Sequence, residues 1–161
     1  MDYLWTPWRF TYITQVDQTP GCVFCEKLAA TDDERQFIVH RGRKNFVVLN
    51  IYPYTVGHLM VAPYRHIATL EEGEPEELAE MMELTRRAEG ALRRAYRPQG
   101  FNVGMNIGKS AGAGVAGHIH MHVLPRWQAD ANFMSVVGET RVLPEELPVT
   151  WTKLRKEFEG N

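Results

Sequence analysis

Three histidines stand two residues apart in His118-Ile119-His120-Met121-His122-Val123-Leu124, separated by apolar, strand-prone residues. In a β-strand, successive side chains point to opposite faces. An extended reading puts His118, His120 and His122 on one face, about 6 to 7 Å apart, and Ile119, Met121 and Val123 on the other. The apolar face suits a core. A row of imidazoles has no such packing role, and half of the chain's six histidines lie in these five residues. The segment is therefore expected to be a strand with a hydrophobic back and a front that carries chemistry.

The chain has 161 residues, enough for one domain with a full core, and a single domain over 1–161 is expected. Its net charge of -2 offers no basic footprint for nucleic acid or a membrane surface, so neither partner is expected. No apolar run approaches the roughly 20 residues of a membrane span. Met1-Asp2-Tyr3-Leu4-Trp5 lacks the basic and apolar regions of a signal peptide. The expected location is the cytoplasm. There, Cys22 and Cys25 are better read as metal ligands or redox thiols than as a structural disulfide.

Patterning divides the rest. Residues 1–20 form an aromatic arm with Tyr3, Trp5, Trp8, Phe10 and Tyr12. Pro20-Gly21 marks a turn before a short helix over Cys22 to Ala30. Strands are expected at 37–40 and 45–50, joined by a polar hairpin, then a loop at 51–57 and a strand at 58–63. His40 has no motif context and reads as a surface strand residue. Apolar residues at three- and four-residue spacing, with Pro75 ahead and Pro98 and Gly100 behind, predict a helix over Pro75 to Tyr96. Phe101, Val103, Met105 and Ile107 alternate with polar or small residues, as in a half-buried strand. Residues 138–148 read as loop and 151–158 as a short terminal helix. The fold class is α+β, with hairpins building an antiparallel sheet.

Neutral imidazole is a competent nucleophile toward phosphorus when an acceptor on its other nitrogen fixes the tautomer. The loop from Gly108 to Gly114 precedes the histidine strand. Its glycines, Gly112 among them, would let backbone N–H groups approach phosphate oxygens, with Lys109 and Ser110 as further donors. It does not fit the Walker spacing. Taken alone it is a weak signal that reads more readily as a flexible connection; its place directly before the histidines favours a phosphate site.

The run matches His-φ-His-φ-His-φ-φ, with φ apolar. Together with Asn50, Gly57-His58-Leu59-Met60-Val61-Ala62-Pro63 and the long helix, it resembles the histidine triad (HIT) family over about residues 22–126. The resemblance implies a HIT-like fold. Each subunit would have a five-stranded antiparallel sheet, one long helix and short flanking helices, and a homodimer would extend the sheet. It implies His120 as the nucleophile that forms a covalent nucleotidyl-histidine at an α-phosphorus. His122 would sit near the phosphate or leaving group. His118 would orient the site or bind metal, and His58 would support the triad. Asn50 would contact ribose, and Asn106 phosphate or leaving group. Water or inorganic phosphate would complete the cycle.

Cys22-Val23-Phe24-Cys25 alone fits either zinc or redox chemistry. One branch of the family completes such a pair with a histidine after the Gly-His strand and the first triad histidine. Here the resemblance implies a structural zinc on Cys22, Cys25, His66 and His118. Leu4 to Arg9 and Pro125 to Phe133 resemble the flanks of the small bacterial diadenosine tetraphosphate phosphorylases and their neighbours. The substrate implied is a dinucleoside polyphosphate, diadenosine tetraphosphate foremost, with Mg2+ accompanying it. An adenylyl phosphoramidase and a nucleotide-binding module with incidental turnover are the alternatives. Trp127 either stacks on adenine or packs against the N-terminal aromatics.

Overall fold

The apolar stripe of Pro75–Tyr96 locates the main core. The computed structural model describes residues 21–128, 130 and 144–160. In chain order these form α1 (Val23–Ala29), α2 (Asp33–Gln36), β1 (Ile38–Arg41), β2 (Asn45–Leu49), β3 (Leu59–Pro63), α3 (Pro75–Tyr96), β4 (Gly100–Gly104), β5 (Met121–Arg126) and α4 (Leu147–Glu159). The five strands make one antiparallel sheet in the order β1-β2-β3-β5-β4. One antiparallel sheet with helices packed on it is the expected α+β architecture.

Both faces of the central strands are covered. Met81, Leu84, Ala88, Ala91 and Leu92 of α3 pack on Val47, Leu49, Leu59, Val61, Ile119 and Val123. On the opposite face Phe24 of α1 packs with Ile38, Phe46, Val48, Met60 and Ala62. This double burial explains why β2 and β3 read as nearly continuous apolar runs. The Glu80 carboxylate of α3 accepts backbone N–H bonds from Arg43, Lys44 and Asn45 at 2.8, 2.6 and 2.8 Å. It thereby holds the β1–β2 hairpin against the helix.

α4 covers the edge of the sheet at β1. Trp151 Nε1 donates to the Ile38 carbonyl at 3.0 Å and Arg155 Nη1 to the Val39 carbonyl at 3.1 Å. Satisfying these carbonyls blocks strand addition there. The helix begins one turn earlier than the sequence pattern predicts. Pro148 falls in its first turn, where a missing N–H costs nothing.

Three further expectations are corrected. β4 ends at Gly104; Phe101 and Met105 pack on the core, but Val103 is 45% and Ile107 37% exposed. β4 is an edge strand, and among the described residues its alternating pattern is not matched by a covering layer. His40 is half-buried rather than a surface residue. Its ring stacks on Phe158 at 5.4 Å, and Arg87 Nη1 donates to its Nε2 at 3.0 Å. α2 was not expected; Asp32 caps it by accepting from the Arg35 N–H. Among the described residues no helix is long and apolar enough to cross a membrane. The aromatic arm lies outside the described residues.

Candidate active site and metal centre

β3 and β5 pair so that Met60 faces His122 and Leu59 faces Val123. Side-chain alternation then sends Met60 and Ala62 away from α3, toward Phe24, and the histidines follow the same parity. The regular strand starts at Met121, later than the expected His118. The backbone before it is held by the Ile119 N–H, which donates to the Ile67 carbonyl at 2.8 Å. Ile119 enters the α3 core, while His118 and His120 are buried against Phe24. The His120 and His122 ring centres are 4.8 Å apart, and those of His58 and His122 are 5.0 Å apart. Gly57 brings His58 in at φ 76°, where a Cβ would meet Leu92 Cδ2 at 2.8 Å. The turn therefore rests on α3, and a side chain there would push it off.

The hydrogen bonds assign the tautomers. A carbonyl only accepts, so His120 Nδ1, 2.9 Å from the His118 carbonyl, carries a hydrogen. Its Nε2 then bears the lone pair. His58 Nδ1 accepts from the Tyr54 N–H at 3.2 Å, and the Asn50 amide nitrogen is 3.3 Å from the same atom. The Asn50 amide is oriented by its Oδ1, which accepts from the Tyr52 N–H at 2.9 Å. His58 therefore carries its hydrogen on Nε2 and donates to His122 Nδ1 at 2.9 Å. His122 in turn carries its hydrogen on Nε2. The site thus pairs a lone-pair nitrogen on His120 with an N–H on the next imidazole. Burial, against the opposing pull of the His118 carbonyl, lowers the affinity of His120 for a proton and so favours the neutral ring.

Cys22, Cys25, His66 and His118 converge, with one ligand atom from each lying within 4.8 Å of all the others. Cys22 Sγ and Cys25 Sγ are 3.4 and 3.7 Å from His118 Nδ1, and Cys25 Sγ is 3.4 Å from His66 Nδ1. Tetrahedral zinc holds sulfur and nitrogen ligands about 3.5 Å apart. His118 Nε2 donates to the Pro63 carbonyl at 2.9 Å, which aims the Nδ1 lone pair at the sulfurs. Burial, opposed by that carbonyl, lowers the proton affinity of His118, and burial followed by the Cys22 neighbour raises the Cys25 thiol pKa. Two thiols and two imidazoles suit zinc and do not suit magnesium or calcium. His66 is the exposed member, and Gly117 lets its ring close in; a Cβ there would be 3.2 Å from His66 Nε2.

The remaining expected residues are less gathered. Lys109 and Ser110 lie on an exposed 3-10 turn, Lys109–Ala111, and Asn106 Nδ2 donates to the Gly112 carbonyl at 3.4 Å. Trp127 is half-buried after β5; of its two readings, packing against the N-terminal aromatics concerns residues outside those described, and stacking on adenine remains a proposal. Sequence reasoning missed Tyr54. Its ring lies 4.7 Å from His58 and 6.1 Å from His122, and its N–H sets the His58 tautomer. The signal available was its place between Asn50 and His58, but a loop has no periodicity to give a direction. It also missed Phe24 as a neighbour of the triad.

The HIT domain family model matches residues 32–129. The chain is 41% identical over 163 aligned residues to the AP-4-A phosphorylase of Mycobacterium tuberculosis, covering 96% of this chain and 83% of that protein. Its fold is similar to that of a hypothetical histidine triad nucleotide-binding protein from Sulfolobus tokodaii. The TM-score is 0.69 at 24% identity, covering 86% of this chain and 93% of that one. A Zn-bound histidine triad family protein from Mycobacterium smegmatis has the same fold, with a TM-score of 0.63, 22% identity and 93% of each chain covered.

Proposed function

This chain belongs to the HIT domain family, and from that premise we propose that it is a nucleotide phosphorylase or hydrolase acting on dinucleoside polyphosphates, diadenosine tetraphosphate foremost. The observation that carries the reading is the hydrogen-bond pattern that gives His120 Nε2 a lone pair and His122 Nε2 a hydrogen. The kinship with a phosphorylase favours inorganic phosphate as the acceptor.

In the proposed cycle, His120 Nε2 attacks the α-phosphorus and a P–N bond forms as the P–O bond to the polyphosphate breaks. The leaving polyphosphate departs as an anion, and the His122 N–H donates a hydrogen bond to the oxygen where charge develops. The His118 carbonyl holds the Nδ1 hydrogen of His120 and stabilises the cationic nucleotidyl-imidazole. Attack by phosphate or water breaks the P–N bond and returns the electron pair to Nε2. His58 and Tyr54 keep His122 in its donor tautomer. Among the described residues, one amide N–H and one Oδ1 lone pair of Asn50 are left for a ribose hydroxyl. Asn106, Lys109, Ser110 and the Gly112 backbone would hold the polyphosphate with its Mg2+, and Trp127 would contact the base.

We assign zinc to Cys22, Cys25, His66 and His118, where it would tie α1 to the catalytic sheet. We also propose a homodimer through β4. The exposed Val103 and Ile107 on that side support it, since α4 already covers the other edge. The deciding experiment is incubation with diadenosine tetraphosphate with and without inorganic phosphate. ADP plus ATP formed only with phosphate identifies the phosphorylase, and AMP plus ATP without it the hydrolase. Release of AMP from an adenosine phosphoramidate, with the dinucleotide untouched, would overturn the reading.

A further inference from the structure

We propose that Phe24 is a positioning residue that couples the Cys22–Cys25–His66–His118 metal cage to the ring of His120. The kinetic side of this inference rests on the reading of His120 as nucleophile; the structural side does not.

Among the described residues, His120 has one ring hydrogen bond, from Nδ1 to the His118 carbonyl. One bond fixes one atom and leaves the ring plane to packing. Phe24 flanks that ring at 5.0 Å with a 46° tilt, and His122 flanks it at 4.8 Å and 75°. Phe24 also contacts the ring of His118 at 5.2 Å. Behind it, Phe46 meets it edge-on at 6.2 Å and is itself stacked on Tyr64 at 5.9 Å. Phe24 is 1% exposed and in contact with Phe46, His118 and His120, so a shift of its ring is passed to these neighbours.

Two of these supports belong to segments that the cage holds. Phe24 lies between Cys22 and Cys25 in the first turn of the seven-residue helix α1. The carbonyl that fixes Nδ1 belongs to His118, itself a ligand residue of the cage. Ligation at the two sulfurs sets where the Phe24 ring stands, and ligation at His118 sets where its backbone stands. Packing by Phe24 then governs the attack angle of Nε2, a quantity to which displacement at phosphorus is sensitive.

The test uses the full chain with 15N-labelled histidines, comparing wild type, Phe24→Leu and chelator-treated wild type. Two-bond 1H–15N correlation spectra read the His120 tautomer and its heterogeneity, and metal content and circular dichroism are measured on the same samples. Phe24→Leu is expected to keep its metal and its fold, while His120 loses its single Nδ1–H pattern. Its kcat for diadenosine tetraphosphate should fall about 10- to 100-fold, with KM within about threefold. Folded, metal-free wild type should show the same His120 change. A metal-loaded Phe24→Leu protein with wild-type His120 signals and kcat would overturn the coupling, as would an unchanged His120 spectrum in folded metal-free protein. If one of the two proteins does not fold, the other decides. A changed His120 spectrum with unchanged kcat supports the coupling and counts against His120 as nucleophile, so the two readings fail separately.

Discussion

His58 Nε2 lies 2.9 Å from His122 Nδ1, and the direction of that bond is set from outside the pair by the Tyr54 N–H on His58 Nδ1. The relationship makes His122 a donor at Nε2 without any charge on either ring. Replacing His58 by Ala removes the constraint while leaving His120 and its carbonyl partner in place. We expect kcat to drop about 10- to 100-fold with a smaller change in KM, since a misplaced catalytic group costs roughly that much. Steady-state kinetics on diadenosine tetraphosphate check this. A His58→Ala enzyme with wild-type kcat would remove the relay from the mechanism.

His120→Gly should lose the covalent step altogether, a fall of about 10⁴-fold or more in kcat, as for loss of a nucleophile elsewhere. Nucleotide binding, measured by calorimetry, should survive. Acid quenching of wild type with radiolabelled substrate should trap label on protein, and the variant should trap none.

Removing the metal should destabilise the fold, because the cage ties α1 and the His66 segment to the residue that opens the histidine run. The purified chain is expected to carry zinc by elemental analysis. Chelation should lower the thermal midpoint by about 5 °C or more. Cys25→Ser should lose metal and show the lower midpoint without chelator. Equal midpoints with and without metal would make the cage irrelevant to stability.

Glu80 should give the fold an acid limb. Burial would raise its carboxyl pKa, but the N–H donors of Arg43, Lys44 and Asn45 and the Asn45 amide outweigh it and hold the pKa below 4.5. The unfolded chain therefore takes up the proton first. The stabilisation is complete above pH 4.5 and is lost as pH falls through the lower folded value. Glu80→Ala should cost about 2 to 3 kcal/mol at neutral pH, from hydrogen bonds to a charged acceptor. Glu80→Gln should flatten the acid limb. Urea unfolding at pH 7 and pH 4 measures both, and an unchanged pH slope in Glu80→Gln would reject the assignment.

The histidine strand, the long helix and the cysteine pair were all legible because each is a local pattern. Period-two alternation placed the three imidazoles opposite Ile119 and Val123, and three- and four-residue spacing set the bounds of Pro75–Tyr96. The family resemblance added His66 and Asn50, which no periodicity marks. Local patterns failed where burial depends on a distant layer. Val103 and Ile107 alternate as a core face would, yet Val103 lies on the edge strand β4 and Ile107 just beyond it, and among the described residues both stay exposed. His40 looked like a surface residue until α4, more than a hundred residues later, brought Phe158 against it.

The sequence by itself determined which side chains could share a face, because strand and helix each repeat their side-chain direction with a fixed period that the apolar pattern matches. It also determined which residue types were present to attack phosphorus or bind zinc. The tertiary structure alone decided which nitrogen of each imidazole bears the hydrogen. That assignment depends on the Tyr54 N–H and on the His118 and Pro63 carbonyls. Every residue has such a carbonyl and every residue but proline such an N–H, and only folding puts a particular one at hydrogen-bonding distance from a particular ring.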